Sequence, residues 1–310
     1  MGLHRAIEDG RIIGPRIYSS SAVIGQTSGH GDMRDYNDPH PNMMEYTHPF
    51  FDEFSFIADG PAEVQRSVRE ALRRGAVHIK VMAGGGVSST FDPLYTVQYS
   101  AEEFRAATEA AADYGTYVAV HAYTDESIIR AINNGVKVIE HGQLMTEKSA
   151  KLMAEKDIWV GSNCQVLNLS DEEVSFLNPI QLAKFYKIKE GLDNQMKLIK
   201  KYKLKAHLGS DIFGSSANFI TARKELSCRK QWFTSAEIAK QATAINGELL
   251  ALTGVRNPYP AGPLGVIKKG AYADLLIVEG NPLKDITILE DYEKNMKIIM
   301  KDGVIYKNDL

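Results

Sequence analysis

The sequence predicts an α/β protein whose strands form a parallel sheet. Between about residues 15 and 212, short β-rich runs alternate with longer amphipathic stretches, as in successive strand–helix–strand units. Each run has a near-continuous apolar core instead of an alternating pattern, as expected of parallel strands that are buried on both faces. The predicted strands cover residues 16–21, 77–82, 116–123, 137–142, 158–163 and 205–211.

Helix patterns lie between these runs. Residues 61–75 start with a proline in a favoured first-turn position and end with basic residues before a glycine. Ser100 and Glu103 form a capping-box pattern at the start of the next helix. Two further helices are predicted over residues 125–135 and 145–156.

Two long segments interrupt the alternation, residues 25–60 and residues 83–99. Long irregular segments inside a domain are usually functional loops, because ordering their backbone needs a reason. From about residue 260 onwards the sequence changes to short antiparallel strands with glycine turns. We therefore expect a strand–helix domain over residues 1–255 and a small β domain over residues 256–310.

Composition is that of an ordinary globular protein, with 44% hydrophobic residues, 24% charged residues and a net charge of −3. This balance favours neither nucleic acid nor a membrane as a partner. The N-terminus has no signal-peptide pattern, so the compartment is left open, with the cytoplasm as the default. Cys164 and Cys228 lie far apart, and we expect neither a disulfide nor a thiolate zinc site.

Four side chains with metal-binding or proton-carrying chemistry fall on predicted strands or at their ends: Lys80, His121, His141 and Asp211. The carboxyl ends of the strands in a (β/α) barrel converge on one face, where active sites are built. Two imidazoles with oxygen ligands suit a divalent ion such as Zn²⁺. Such an ion activates water for amide hydrolysis, and Asp211 could carry the proton.

Each of these residues also has a purely structural interpretation. A lone histidine at a strand end is more often a hydrogen-bonded structural residue, and Asp211 can simply cap the next helix. Lys80 is harder to explain in this way, because a buried ammonium must be paired, neutral or chemically altered. The coincidence of four such residues on successive strands favours a site.

The motifs HIKVMAGGGVSS, VAVHAY, VIEHG and GSD, in this order, resemble the amidohydrolase superfamily. They are most similar to its imidazolonepropionase-like and prolidase-like dipeptidase branch. The C-terminal AGPLGVIKKGAYADLLIVEGNPLKDI is similar to the family's tail, which builds a small β-sandwich. The resemblance implies a (β/α)₈ TIM-type barrel over residues 1–255 and the C-terminal strands of that sandwich over residues 256–310.

The resemblance also implies a metal centre with one or two divalent ions, Zn²⁺ being expected. Lys80 would react with CO₂ to become a carbamate, which is an oxygen ligand. His121 and His141 would hold the second metal, whereas Asp211 would bind the first metal and act as acid and base.

Two more residues match family positions that face substrate, His30 of SGHGD and Tyr123. The structural alternatives are a solvated loop histidine and a packed aromatic side chain. His78 shares the strand face of Lys80 and is left unassigned. The remaining histidines receive no role: His4, His40, His48 and His207.

The first barrel strand of the family carries a His-x-His pair, and this chain contains none. Its start resembles the helix that precedes the third barrel strand. We therefore expect an incomplete barrel of six strands, about strands 3 to 8, that retains at most the second metal site.

The predicted function is metal-dependent hydrolysis of C–N bonds in dipeptides or N-acyl amino acids, by an enzyme that forms homo-oligomers. One alternative is a cyclic-amide hydrolase of the imidazolonepropionase type. Another is an inactive or split-gene fragment that needs an N-terminal partner.

Overall fold

The computed structural model describes residues 2–39, 54–212 and 221–310. Its contacts divide the chain into two units. The first unit comprises Met1–Val160, Ser175–Leu204 and Thr253–Pro258, and the second comprises Gly161–Val174, Lys205–Leu252 and Tyr259–Leu310. The predicted domain boundary between residues 255 and 256 stays a prediction.

A seven-stranded sheet has the order β2-β1-β3-β4-β5-β6-β7. The pairings among β1 to β5 are all parallel, which confirms the predicted α/β class. The strands run over Val23–Gly25 (β1), Ser55–Ile57 (β2), Ile79–Met82 (β3), Val118–Thr124 (β4), Val138–Leu144 (β5), Trp159–Ser162 (β6) and Lys205–Leu208 (β7).

The strand predicted at residues 16–21 is wrong. That segment is irregular, and β1 forms just after it. The reason is that the serine-rich run offers little to bury, whereas Ala22 and Ile24 are buried in the core. The strand β2 lies within the predicted insertion 25–60, so the sheet has seven strands where six were expected.

Most helices of the first unit follow the predicted patterns. Ser100 caps its helix with both halves of the capping box in place. The longest helix starts after Asn178, whose side chain accepts from two backbone amides, and its buried face packs against β5. These helices are Gly2–Glu8 (α1), Pro61–Arg73 (α2), Ala101–Asp113 (α3), Asp125–Asn133 (α4), Glu147–Glu155 (α5) and Pro179–Tyr202 (α6).

The second unit contains short helices and a separate antiparallel sheet of order β10-β9-β8, as predicted. Gly303, with a φ of 79°, forms the turn between β9 and β10. In the described part of the chain, no helix combines the length and the hydropathy needed to span a bilayer. The elements are Glu225–Arg229 (α7), Ser235–Lys240 (α8), Asn246–Ala251 (α9), Leu275–Val278 (β8), Tyr292–Asn295 (α10), Met296–Lys301 (β9) and Val304–Asn308 (β10).

The expectation of no disulfide is also wrong. Cys164 and Cys228 form a disulfide within the second unit, with their Cα atoms 6.0 Å apart. The two residues are 64 positions apart in the chain. The fold brings the segment after β6 against α7, which no local spacing pattern announces.

Candidate active site

Three histidines and a tyrosine form one cluster at the carboxyl ends of neighbouring parallel strands. The ring centroid of His121 lies 4.1 Å from that of His30, 4.5 Å from that of His141 and 4.7 Å from that of Tyr123. His121 and Tyr123 come from β4 and His141 from β5, whereas His30 follows β1. The structure thus brings together four of the six predicted site residues.

His121 is buried at the centre of the cluster. The apolar strand β4 carries it inward, and its Nε2 lies 3.1 Å from the carbonyl oxygen of Gly85. Burial, followed by unfavourable electrostatic interactions with His30, His141 and Lys80, holds the pKa of His121 well below its usual range. His121 is therefore neutral at neutral pH, which is the form of imidazole that binds a metal.

His141 occupies an unusual backbone position at the end of β5. Its φ is 78°, and that of Gly142 is 79°, so two successive residues are in the left-handed region. That conformation is uncommon for a residue with a side chain and is found disproportionately at functional sites. The carbonyl oxygen of His141 accepts a hydrogen bond from the Gln195 side chain of α6.

Lys80 lies on β3, next to β4. Lys80 pairs with Ala119 in the sheet and His121 lies two residues further along, so both side chains are on the same face. Lys80 is partly buried. No carboxylate pairs with its ammonium group among residues 2–39, 54–212 and 221–310. A carbamate on its amine would fit this setting.

Asp211 belongs to the second unit, three residues beyond the end of β7. Its carboxylate accepts a hydrogen bond of 3.1 Å from the side-chain amide of Asn163, and its φ is 54°. The approach of Asp211 to the histidines of the first unit stays a prediction.

The residues at these strand ends fit a divalent ion in part. Within the described ranges, no group of three or more His, Cys, Asp and Glu side chains could hold a metal. A carbamylated lysine would add the oxygen ligand that such a group lacks. His121 and His141, with Lys80 on the adjacent strand, would then supply two nitrogen ligands and one oxygen ligand.

A polar network beside His30 was not predicted from the sequence. The His30 Nδ1 atom lies 2.7 Å from the Ser89 hydroxyl and 3.5 Å from the carboxylate of Asp92. Asp92 in turn lies 3.5 Å from the ammonium group of Lys184 on α6. A sequence signal did exist for Asp92, because it stands in the predicted functional loop 83–99.

The other histidines lie elsewhere or outside the described residues. His78 is half-buried near the start of β3, where its ring stacks on Tyr117 with centroids 5.4 Å apart. Burial lowers the pKa of His78 to about 4, so it is a neutral residue of the interior. His40 and His48 lie outside the described residues.

The model of the amidohydrolase family matches residues 2–306. The chain therefore belongs to the amidohydrolase family. That membership confirms the family that the motifs indicated, and the family generally uses a divalent metal.

Among curated proteins, the chain is similar to the ochratoxinase of Aspergillus niger, with 32% identity over 98% of the chain and 62% of that protein. Since the chain spans about 62% of that length, the activity of the whole protein is a proposal.

Solved structures extend the likeness. A prolidase complexed with N-methylphosphonate-L-proline is 33% identical, with a TM-score of 0.87 over 99% of this chain and 73% of that one. A Xaa-Pro dipeptidase with bound methionine is 30% identical, with a TM-score of 0.83 over 99% of this chain and 72% of that one. These neighbours match the prolidase-like branch that the motifs predicted.

Proposed function

We propose that this chain supplies most of the active site of a metal-dependent hydrolase that cleaves dipeptides or N-acyl amino acids. The observation that carries the proposal is the pair of adjacent imidazoles, His121 and His141, with Lys80 on the neighbouring strand. The relatives named as a prolidase and a Xaa-Pro dipeptidase support a substrate with a C-terminal proline or similar residue.

Lys80, as its carbamate, would hold an ion together with His121 and His141, with Zn²⁺ as the expected metal. Asp211 is the ligand proposed for the first metal and would serve the reaction as acid and base. When bound, a divalent ion lowers the pKa of water to about 7 and polarises the scissile carbonyl. His121 is suited to binding the ion because its burial keeps the imidazole neutral.

Asp211 would move the proton of the reaction. It would take a proton from the attacking water as the oxygen adds to the carbonyl carbon, and it would return that proton to the leaving nitrogen as the C–N bond breaks. The hydrogen bond from Asn163 orients its carboxylate. His30 and Tyr123 would face the substrate beside the metal ligands.

Metal content and turnover test this proposal together. We expect the purified chain to bind zinc, and to hydrolyse Xaa-Pro, Xaa-Arg and Xaa-Leu dipeptides or N-acyl amino acids. The assays should use two preparations. One is the chain alone, and the other is the chain mixed with the segment of a relative that this chain does not match. His121→Ala and His141→Ala should each lower metal affinity or turnover by at least about tenfold to a hundredfold.

His4→Ala is the matched control, because it removes a histidine that lies outside the cluster on α1. Zinc content and turnover should remain at the wild-type level in this variant. The proposal fails if neither preparation binds a divalent metal or hydrolyses any substrate of the panel.

A further inference from the structure

The carboxyl end of β5 is bent by a bulge. The pairing of β5 with β4 shifts register between Ala122 and Thr124, opposite residues 141–144. His141 and Gly142, with φ values of 78° and 79°, form the bend itself. Bulges are over-represented next to active sites, where they change the direction of a side chain. The bend therefore decides which face of the sheet carries the His141 ring.

The strand register shows how the bend places the His141 ring. In the ladder, Glu140 pairs with His121, so these two side chains point to the same face of the sheet. Successive residues of a regular strand point to opposite faces, which would turn His141 away from His121. The two imidazole rings nevertheless have centroids only 4.5 Å apart. The left-handed conformation of His141 is therefore what brings its ring to His121.

Gln195 of α6 binds the backbone at this bend. Its side-chain amide donates a hydrogen bond to the carbonyl oxygen of His141, and the residue is 0% exposed. A Cβ atom on Gly142 would lie 3.3 Å from the Gln195 amide nitrogen, so a side chain at position 142 would crowd this contact. A buried carbonyl group without a partner is costly, and a bulge interrupts the strand ladder that would supply one. The Gln195 amide thus stabilises the bent backbone.

The helix α6 approaches the bend closely. A Cβ atom on Gly191, about one turn before Gln195, would overlap the carbonyl oxygen of Gln143, so only a glycine permits this approach. Asn194 donates to the carbonyl oxygen of Met145 at 3.1 Å. The Gln195 amide is therefore held by a helix that is itself fixed against the same segment.

We propose that Gln195 is a positioning residue that keeps His141 in the left-handed conformation and thereby directs its imidazole towards the metal. The inference rests on the proposed function, because that function supplies the metal ion. Gln195 contacts the backbone of His141 and does not itself bind the ion. Without this hydrogen bond, we expect the bend to relax towards a regular strand, in which the imidazole turns away from His121.

The first measurement uses the metal-free chain. Gln195→Met keeps the length of the side chain but removes the donor, and Lys197→Met is the matched control. Lys197 lies two residues further along α6, has 68% of its side chain exposed and pairs with Asp193. The Cα and Cβ NMR resonances of His141, which report its backbone conformation, should move towards extended values in Gln195→Met only. Unchanged resonances in a folded Gln195→Met protein would overturn the inference.

The second measurement is the zinc dissociation constant, determined by competition with a chelator. We expect Gln195→Met to raise it by about tenfold, since residues that orient a metal ligand typically contribute about tenfold to a hundredfold to affinity. Lys197→Met should keep the wild-type value. A purely structural role would lower the urea midpoint of Gln195→Met and leave the zinc affinity of the folded protein unchanged, and that result would also contradict the inference.

A further variant and the wild-type protein separate the possible failures. If Gln195→Met does not fold, Gln195→Asn carries both measurements, because it keeps an amide but draws it back from the His141 carbonyl by one methylene group. A wild-type chain that binds no zinc, with His141 resonances that shift in the variant, would contradict the proposed function alone. Zinc binding by the wild type with unshifted resonances in the variant would contradict the positioning role alone.

Discussion

Two strand-end segments of this chain are each fastened by a buried ion pair, but the pairs are built differently. After β3, Asp92 lies on loop 83–99 and its cation, Lys184, comes from a distant helix. After β6, both partners lie on α7, where Arg229 and Glu225 are 2.7 Å apart and almost fully buried. The first loop is held by charge and hydrogen bonds without a covalent link, whereas the second segment also has the disulfide.

The two carboxylates respond to burial in opposite ways. At Asp92 the surrounding donors outweigh burial and lower the pKa. At Glu225 burial dominates and raises the pKa, although Arg229 and the backbone amides of Cys164 and Gln165 oppose it. The comparison indicates a charge-tuned anchor beside the proposed substrate site and a structural brace in the second unit.

Removing the ion pair between Arg229 and Glu225 should have the largest effect on the free energy of unfolding. Arg229→Met leaves Glu225 buried without its cation, and we expect a loss of about 3–5 kcal/mol in the free energy of unfolding. Urea denaturation measures this loss. The control is Arg73→Met, which removes an arginine with a side chain that is 73% exposed. A loss no larger than that of the control would mean that the pair does not brace the unit.

Removing the disulfide between Cys164 and Cys228 should have the next largest effect on the free energy of unfolding. The double variant Cys164→Ala and Cys228→Ala opens a loop of 64 residues, for which we expect a loss of about 2–4 kcal/mol. Reduction of the wild-type protein should shift its urea midpoint in the same direction. Detection of two free thiols in the unreduced, denatured protein would show that no disulfide forms.

Removing the ion pair between Asp92 and Lys184 should lower the free energy of unfolding by somewhat less. Lys184→Met should lower the free energy of unfolding by about 2–3 kcal/mol, because Asp92 loses a charge-assisted partner but keeps the Gly86 amide. The depressed pKa of Asp92 means that its carboxylate stabilises the fold above pH 3.8 and that this contribution is lost as the pH falls further. The stability difference between wild type and Asp92→Asn should accordingly shrink below pH 3.8. A constant difference would argue against a buried anion.

The ion pairs of Glu70 with Arg73 and Arg74 should have the smallest effect on the free energy of unfolding. They serve as the solvated comparison for the two buried pairs. Glu70 on α2 accepts hydrogen bonds from Arg73 and Arg74. These bonds, with that from Arg73 contributing most, lower the pKa of Glu70 to about 2. Because the cluster is solvated, Glu70→Gln should cost only about 0.3–0.5 kcal/mol. The contribution should be present above pH 4.5, vanish towards pH 2 and weaken in 0.5 M salt. A loss above about 1 kcal/mol would contradict this assignment.

Much of the sheet could be predicted because β3 to β5 are apolar runs, whose burial dominates the local signal. The short strands β1 and β2 could not, since three residues carry too little periodicity and pairing with neighbours decides their position. The 24-residue helix α6 was not singled out, because its many lysines obscure the buried stripe that includes Phe185 and Ile188.

The candidate site likewise contains residues that the sequence could predict and residues that it could not. His121, Tyr123 and His141 were predictable, because parallel strands place their carboxyl ends at one edge. The partnership of Asp92 with Lys184 was not, since it joins positions 92 residues apart through a loop whose path the sequence does not reveal. The Cys164–Cys228 pair was missed for the same reason.

We propose that His121 and His141, with Lys80 beside them, bind the catalytic metal. Anomalous diffraction at the zinc edge from crystals of the zinc-loaded chain tests it directly. We expect a single strong peak within bonding distance of both imidazoles, with additional density on the Lys80 amine. A zinc peak at any other place, or none after loading, would contradict the account.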